Sequence, residues 1–144
     1  MTVLRLYAAA SIMAGGLCND LAAEEWVVRR LVSLNYPSLA ILSREQATIS
    51  IRCELSSEGV VTNAYVERTD GNRPGSVLEN AALENARGWR FKYVGGPSGL
   101  PKHVTLTYTF RLAGTCDSGC CSSQFSYDEG RVLVTAKYRR VNHD

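Results

Sequence analysis

Two histidines, five cysteines and one pair of adjacent glutamates are the residues from which this 144-residue chain could build a reactive site. A Ser/His/Asp or Cys/His site needs nucleophile and base in contact, with a third group to orient the base. His103 opens an expected strand and His143 lies in the terminal tail, and no spacing ties either to such a set, so both read as surface residues. Glu24 and Glu25 could suggest paired carboxylates, but adjacent residues on a helix do not face each other, and a solvated helix start is the better reading. Residues 95–101 are rich in glycine, yet Lys102 lacks the preceding glycine and following Ser/Thr of a phosphate loop. The residues therefore point away from an enzyme, and they imply no cofactor.

The cysteines divide by context. Ile49, Ile51, Cys53 and Leu55 alternate with Ser50, Arg52 and Glu54, which places Cys53 on the buried face of a strand as a small hydrophobe. Cys116, Cys120 and Cys121 form a cluster. Bonding between neighbouring residues is strained, so the expected staple joins Cys116 to Cys120 or Cys121. A zinc site lacks a second ligand pair at the usual separation, and a thiol-disulfide enzyme lacks the Cys-x-x-Cys spacing that tunes thiolate reactivity. Five cysteines also fit an exported chain better than a cytosolic one.

The elements that position these residues begin with an address. Residues 1–23 carry Arg5, then an apolar stretch of about a dozen residues, then small residues, the shape of an export signal rather than of a membrane span of roughly 20 residues. Ala14-Gly15-Gly16 and Leu21-Ala22-Ala23 both offer a cleavage point; lipidation at Cys18 is disfavoured because Leu17 precedes it. A periplasmic or secreted protein is expected. The remainder is one domain's worth of chain: 45% hydrophobic, 21% charged and a net charge of +2, too weak and dispersed for a nucleic-acid partner. Nothing in it points to a small-molecule substrate.

Residues 24–34 place Trp26, Val27, Arg30, Leu31 and Leu34 at helical spacing and predict a short amphipathic helix; Pro37 suits the first turn of a second helix running to Arg44. Residues 46–55 and 60–68 predict a hairpin around Glu58-Gly59, with a bulge where the parity of Val61, Ala64 and Val66 changes. Ser76 and Glu79 form a capping box, opening a helix that buries Leu78, Ala82, Ala86 and Trp89 and stops at Gly88. Residues 89–93 are extended, and Val104, Leu106, Tyr108, Phe110 and Leu112 alternate with polar neighbours as a half-buried strand. A last strand is expected over residues 131–139.

These pieces, in this order, resemble the C-terminal domain of TonB-type proteins: Tyr36-Pro37-Ser38-Leu39-Ala40 before a strand, Glu58-Gly59-Val60-Val61 at a hairpin, and Leu78-Glu79-Asn80-Ala81-Ala82 running into Trp89-Arg90-Phe91, over residues 32–112. The resemblance implies an α+β fold, with an antiparallel sheet of three strands packed on two helices. It also implies a periplasmic domain that binds a protein partner, typically the N-terminal segment of an outer-membrane transporter, by strand addition along Val104, Thr105, Leu106, Thr107, Tyr108, Thr109 and Phe110. Tyr36, Pro37, Ala40, Gly59, Leu78, Ala82, Trp89 and Phe91 would carry the family motif and core. A stand-alone structural or interaction domain of the envelope, with no transporter partner, is the alternative.

The chain departs from the family in four ways. Ile41 replaces a residue often polar in the family and Ala47 a common glycine, and with four prolines there is no long Pro-rich reach, so the module is not expected to transmit force by itself. The chain also continues beyond Leu112 through a cysteine loop and one more strand, residues 113–144, read as part of the same domain. That fourth strand is expected to form an antiparallel hairpin with residues 104–112, covering the family's binding edge and presenting Lys137 and Arg139 on a new one.

Overall fold

The computed structural model of the chain describes residues 5–7, 25–71, 76–94, 103–116 and 122–139. Ten elements follow one another: β1 (Arg5–Tyr7), β2 (Glu25–Arg30), α1 (Ser38–Leu42), β3 (Ala47–Leu55), β4 (Val61–Asp70), α2 (Val77–Arg87), β5 (Arg90–Tyr93), β6 (His103–Cys116), β7 (Gln124–Asp128) and β8 (Arg131–Arg139). The fold is α+β. A five-stranded sheet has the order β4-β3-β6-β8-β7, and a three-stranded sheet the order β1-β2-β5.

Alternation builds the larger sheet. Ala47, Ile49, Ile51, Cys53 and Leu55 of β3 are buried, as are Val104, Leu106, Tyr108, Phe110 and Leu112 of β6 and Val132, Val134 and Ala136 of β8. Their polar neighbours face the other way. The three family strands β4, β3 and β6 are antiparallel, and the β3–β4 register shifts between Ser50 and Ile51 and again between Glu54 and Leu55, in keeping with the parity change. Against the apolar face lies α2, which buries Leu78, Ala82 and Ala86. Its Ser76 hydroxyl accepts from the Glu79 N–H at 3.3 Å, and the Glu79 carboxylate accepts from the Thr69 hydroxyl at 2.6 Å, tying the helix start to the end of β4. Gly88 is the C-cap. Pro37 stands at the N-cap of α1, one residue before the expected first turn.

Two expectations are corrected. Residues 25–30 form a strand, not a helix: Trp26 lies opposite Tyr93 and Val28 opposite Phe91 on β5, with the Trp26 and Tyr93 rings edge-to-face at 5.1 Å. The apolar spacing fits both periods, but the β-branched pair Val27-Val28 favours the strand, and Leu31, which a helix would bury, is exposed. The second correction concerns the C-terminus. β8 pairs with β6 in parallel, not as an antiparallel hairpin, because β7 intervenes and takes the hairpin position on the outside. The turn between β7 and β8 is the two-residue Glu129-Gly130, at φ 43° and 81°; positive φ at both positions is what the right-handed twist of a tight hairpin requires. Consequently the new outer edge is β7, not the strand carrying Lys137 and Arg139.

Within the segment read as an export signal, only residues 5–7 are described, as the strand β1 paired with β2; the expected cleavage points and Cys18 lie outside the described residues. Among the described residues no helix is long and apolar enough to cross a membrane.

Candidate partner-binding edge

β6 is the strand on which the site turns. On one side it pairs antiparallel with β3, from Glu54 opposite His103 to Ala47 opposite Phe110. On the other it pairs parallel with β8, from Thr107 opposite Arg131 to Cys116 opposite Arg139. Of the seven residues expected to contact a partner, Thr107, Tyr108, Thr109 and Phe110 are therefore held on both sides, while Val104, Thr105 and Leu106 pair with β3 alone among the described residues. The side chains of Val104, Leu106, Tyr108 and Phe110 are buried; the threonines point to the opposite face. What this strand can offer an incoming peptide is its backbone.

The motif residues hold β6 in place. Tyr36 is buried edge-to-face on Phe110 at 5.6 Å, and its hydroxyl donates to the carbonyl of Glu45. Ala40 is fully buried on α1. Gly59 shows why no side chain fits in the β3–β4 turn: its φ is +80°, and a Cβ there would lie 1.7 Å from the carbonyl oxygen of Phe91. That close approach lets the Phe91 N–H donate to the Gly59 carbonyl at 2.9 Å, linking the turn to β5. Trp89 and Phe91 are buried and stacked with ring centres 6.1 Å apart.

One organising residue escaped the sequence reading. Asn85 falls on the apolar face of α2, and its buried amide is fully engaged: Nδ2 donates to the carbonyls of Val32 and Ser33, and Oδ1 accepts from the Trp89 indole and the Tyr108 hydroxyl, both at 2.8 Å. Its place beside Ala82, Ala86 and Trp89 on that face was the available signal. Burial, first, and the neighbouring Cys53 and Tyr127 push the Tyr108 hydroxyl far above its ordinary range, so it stays a donor to Asn85.

The strands covering β6 have their own anchors. The Tyr127 ring lies edge-to-face on Trp89 at 4.9 Å, and its hydroxyl accepts from the Gly130 N–H at 3.0 Å. Burial pushes that hydroxyl's pKa up to about 12; the Asp128 and Glu129 charges add to this and the Gly130 bond opposes it. The Tyr36 N–H donates to Ser123 Oγ at 2.8 Å, and the Arg44 guanidinium sits over the Tyr138 ring at 5.2 Å. β7 itself is a clear alternation, Phe125 and Tyr127 inward against Gln124, Ser126 and Asp128 outward, that the reading of the chain passed over.

Cys53 is a free, buried thiol whose burial lifts its pKa to about 12, so it is packing material rather than a nucleophile. Cys116 is buried at the end of β6 and is not a free thiol, while Cys120 and Cys121 lie outside the described residues. His103 is exposed, with its Nδ1 3.3 Å from the Arg52 guanidinium; His143 lies outside the described residues. Among the described residues no group of three or more His, Cys, Asp or Glu could hold a metal.

Comparison with known proteins bears on the family rather than on the architecture. The family model described as Gram-negative bacterial TonB protein C-terminal matches residues 32–112. The Protein TonB of Pasteurella multocida is 30% identical over 104 residues, covering 68% of this chain and 38% of that protein. The chain thus spans less than two-fifths of that relative's length. No solved structure matches.

Proposed function

The chain belongs to the TonB C-terminal family, and from that premise we propose that it is a periplasmic protein-binding module, not an enzyme, linked to TonB-dependent transport across the outer membrane. Its partner is an extended segment of another protein, such as the N-terminal segment of an outer-membrane transporter, bound by strand addition to β6. The observation that carries this reading is β8 itself: on the side away from β3, β6 takes a parallel strand from Thr107 to Cys116, with a register shift between Leu112 and Thr115, which supports strand addition along that side. A partner strand would use the same backbone groups, so it has to displace β8.

Displacement is costly. Val132 and Val134 are almost fully buried, and exposing each costs about 1.5–3 kcal/mol, so an incoming segment must supply an alternating apolar face as well as backbone bonds. A bond from Cys116 to Cys120 or Cys121 would shorten the connection leaving β6 and favour return of the covering strands; mass spectrometry of the exported protein checks both that bond and removal of the leader. The binding test is titration of a transporter-derived N-terminal peptide into the full chain and into Tyr127→Ala, which removes the ring that fastens β7 to Trp89. Tighter binding to the variant supports displacement. Failure of the peptide to bind either protein favours a stand-alone envelope domain.

A further inference from the structure

The three-stranded sheet borders an arginine-lined groove that the strand-addition reading does not use. Arg30 of β2 lies directly opposite Arg90 of β5. Like charges facing each other across a strand pair destabilise it, so the arrangement calls for a counter-charge. The register of β2 shifts between Val28 and Arg30, and at this irregularity the consecutive Arg29 and Arg30, which a regular strand would send to opposite faces, both line one groove of about 750 Å³ with Arg90, Glu58 and Val60. Arg90 is already oriented: its Nη1 donates to the carbonyls of Trp89 at 2.9 Å and Arg87 at 3.4 Å. Among the described residues the one ion pair is Arg68 with Asp70, so no described carboxylate, Glu58 included, neutralises the three guanidiniums.

We infer that this groove binds an acidic segment of a partner protein, its Asp or Glu side chains taken by the forked donors of Arg29, Arg30 and Arg90. Guanidinium and carboxylate match as two parallel hydrogen bonds, which a groove fixing one arginine in advance can exploit. Glu58 on the same wall argues against a uniformly anionic surface such as a membrane and for a chain in which acidic side chains alternate with neutral or basic ones. The inference shares with the proposed function only the premise that the partner is a protein; it involves neither β6 nor β8.

The test titrates a synthetic peptide of alternating Glu and Ser into the full chain, beside its Gln-Ser counterpart, phosphatidylglycerol vesicles and inorganic phosphate. The acidic peptide should bind, weaken about tenfold or more in Arg30→Gln/Arg90→Gln, and weaken again as salt shortens the screening length from about 10 Å at 0.1 M to about 3 Å at 1 M. Arg30→Glu should lose the peptide yet raise the melting temperature by up to about 4 °C, since it turns a repulsive cross-strand pair into an attractive one. Equal binding of the Gln-Ser peptide, equal binding by the double variant, or binding of vesicles or phosphate without the peptide would each overturn the inference. The transporter-derived peptide is titrated separately, and its binding should be unchanged in Arg30→Gln/Arg90→Gln, so failure of one site leaves the other testable.

Discussion

The two sides of β6 are built by different rules. Toward β3 the seam is antiparallel, and both strands face their buried side chains, Ile49, Ile51 and Cys53 against Tyr108, Leu106 and Val104, onto α2 and the family core. Toward β8 the seam is parallel, a geometry slightly less stable per residue, and the strand arrives only after the chain has run outward through β7 and turned back. β3 cannot leave without dismantling the core. β7 and β8 are held by the parallel ladder to β6, by buried Val132, Val134 and Ala136, and by Tyr127 on Trp89, Ser123 on the Tyr36 N–H and Tyr138 under Arg44. In the proposed function one side of β6 is foundation and the other carries the strand that a partner would displace.

The largest effects should come from residues that serve both sides. Trp89→Ala removes the ring between α2, Phe91 and Tyr127 and should cost about 3–5 kcal/mol in denaturant unfolding; a loss below about 1 kcal/mol would contradict its place in the core. Asn85→Ala strands the Trp89 indole and the Tyr108 hydroxyl in the interior, at about 1–3 kcal/mol for each donor, again with global loss of protection. Tyr127→Ala should separate the two sides: amide exchange quickens across residues 124–139 while β3 keeps its protection. Uniform quickening would show that the sheet opens as one unit.

Alkaline pH sharpens the same contrast. Tyr127 has its folded pKa raised to about 12 from an ordinary 10, so its contribution is whole below pH 10 and is lost as pH rises through 12. Cys53, raised to about 12 from 9 on the β3 side, follows the same sign from pH 9 upward. A pH titration of Tyr127→Phe against Cys53→Ala should show each losing a different part of the alkaline slope. The smallest effect is expected at the turn. Glu129 holds a positive φ of 43°, and Asn tolerates that region better, so Glu129→Asn should stabilise β7 and β8 by roughly 0.5–1 kcal/mol and slow their exchange.

The antiparallel side was legible because β3 and β6 alternate buried and outward residues over the length of their pairing, and β3 and β4 are neighbours in sequence joined by a tight turn. Gly59 before Val60-Val61 and the capping box at Ser76 each carry a local signal with one structural meaning. The other side was harder. The alternation in β8 marked a strand and its apolar face, but the parallel orientation depends on β7, whose five residues run into the Glu129-Gly130 turn and were passed over. Trp26-Val27-Val28 shows the complementary failure, a short apolar run compatible with both periods, settled only by Tyr93 and Phe91 lying across from it. Asn85 was hidden for another reason: a polar residue on an apolar helix face reads as an interruption until its four partners are seen.

In the proposed function β8 occupies the edge a partner strand would take, and the most direct measurement of this competition is peptide affinity as a function of the stability of β8 alone. Val134→Ala shortens a buried β8 side chain, and its cost to the covering strands can be measured by amide exchange. If the two strands compete, each 1.4 kcal/mol lost from β8 should tighten binding of the transporter-derived peptide about tenfold, until the open form predominates. Amides of residues 107–116 should then regain protection when the peptide is bound. Unchanged or weaker affinity in Val134→Ala, with β3 and β4 still protected, would contradict competition for β6 and place the partner elsewhere on the molecule.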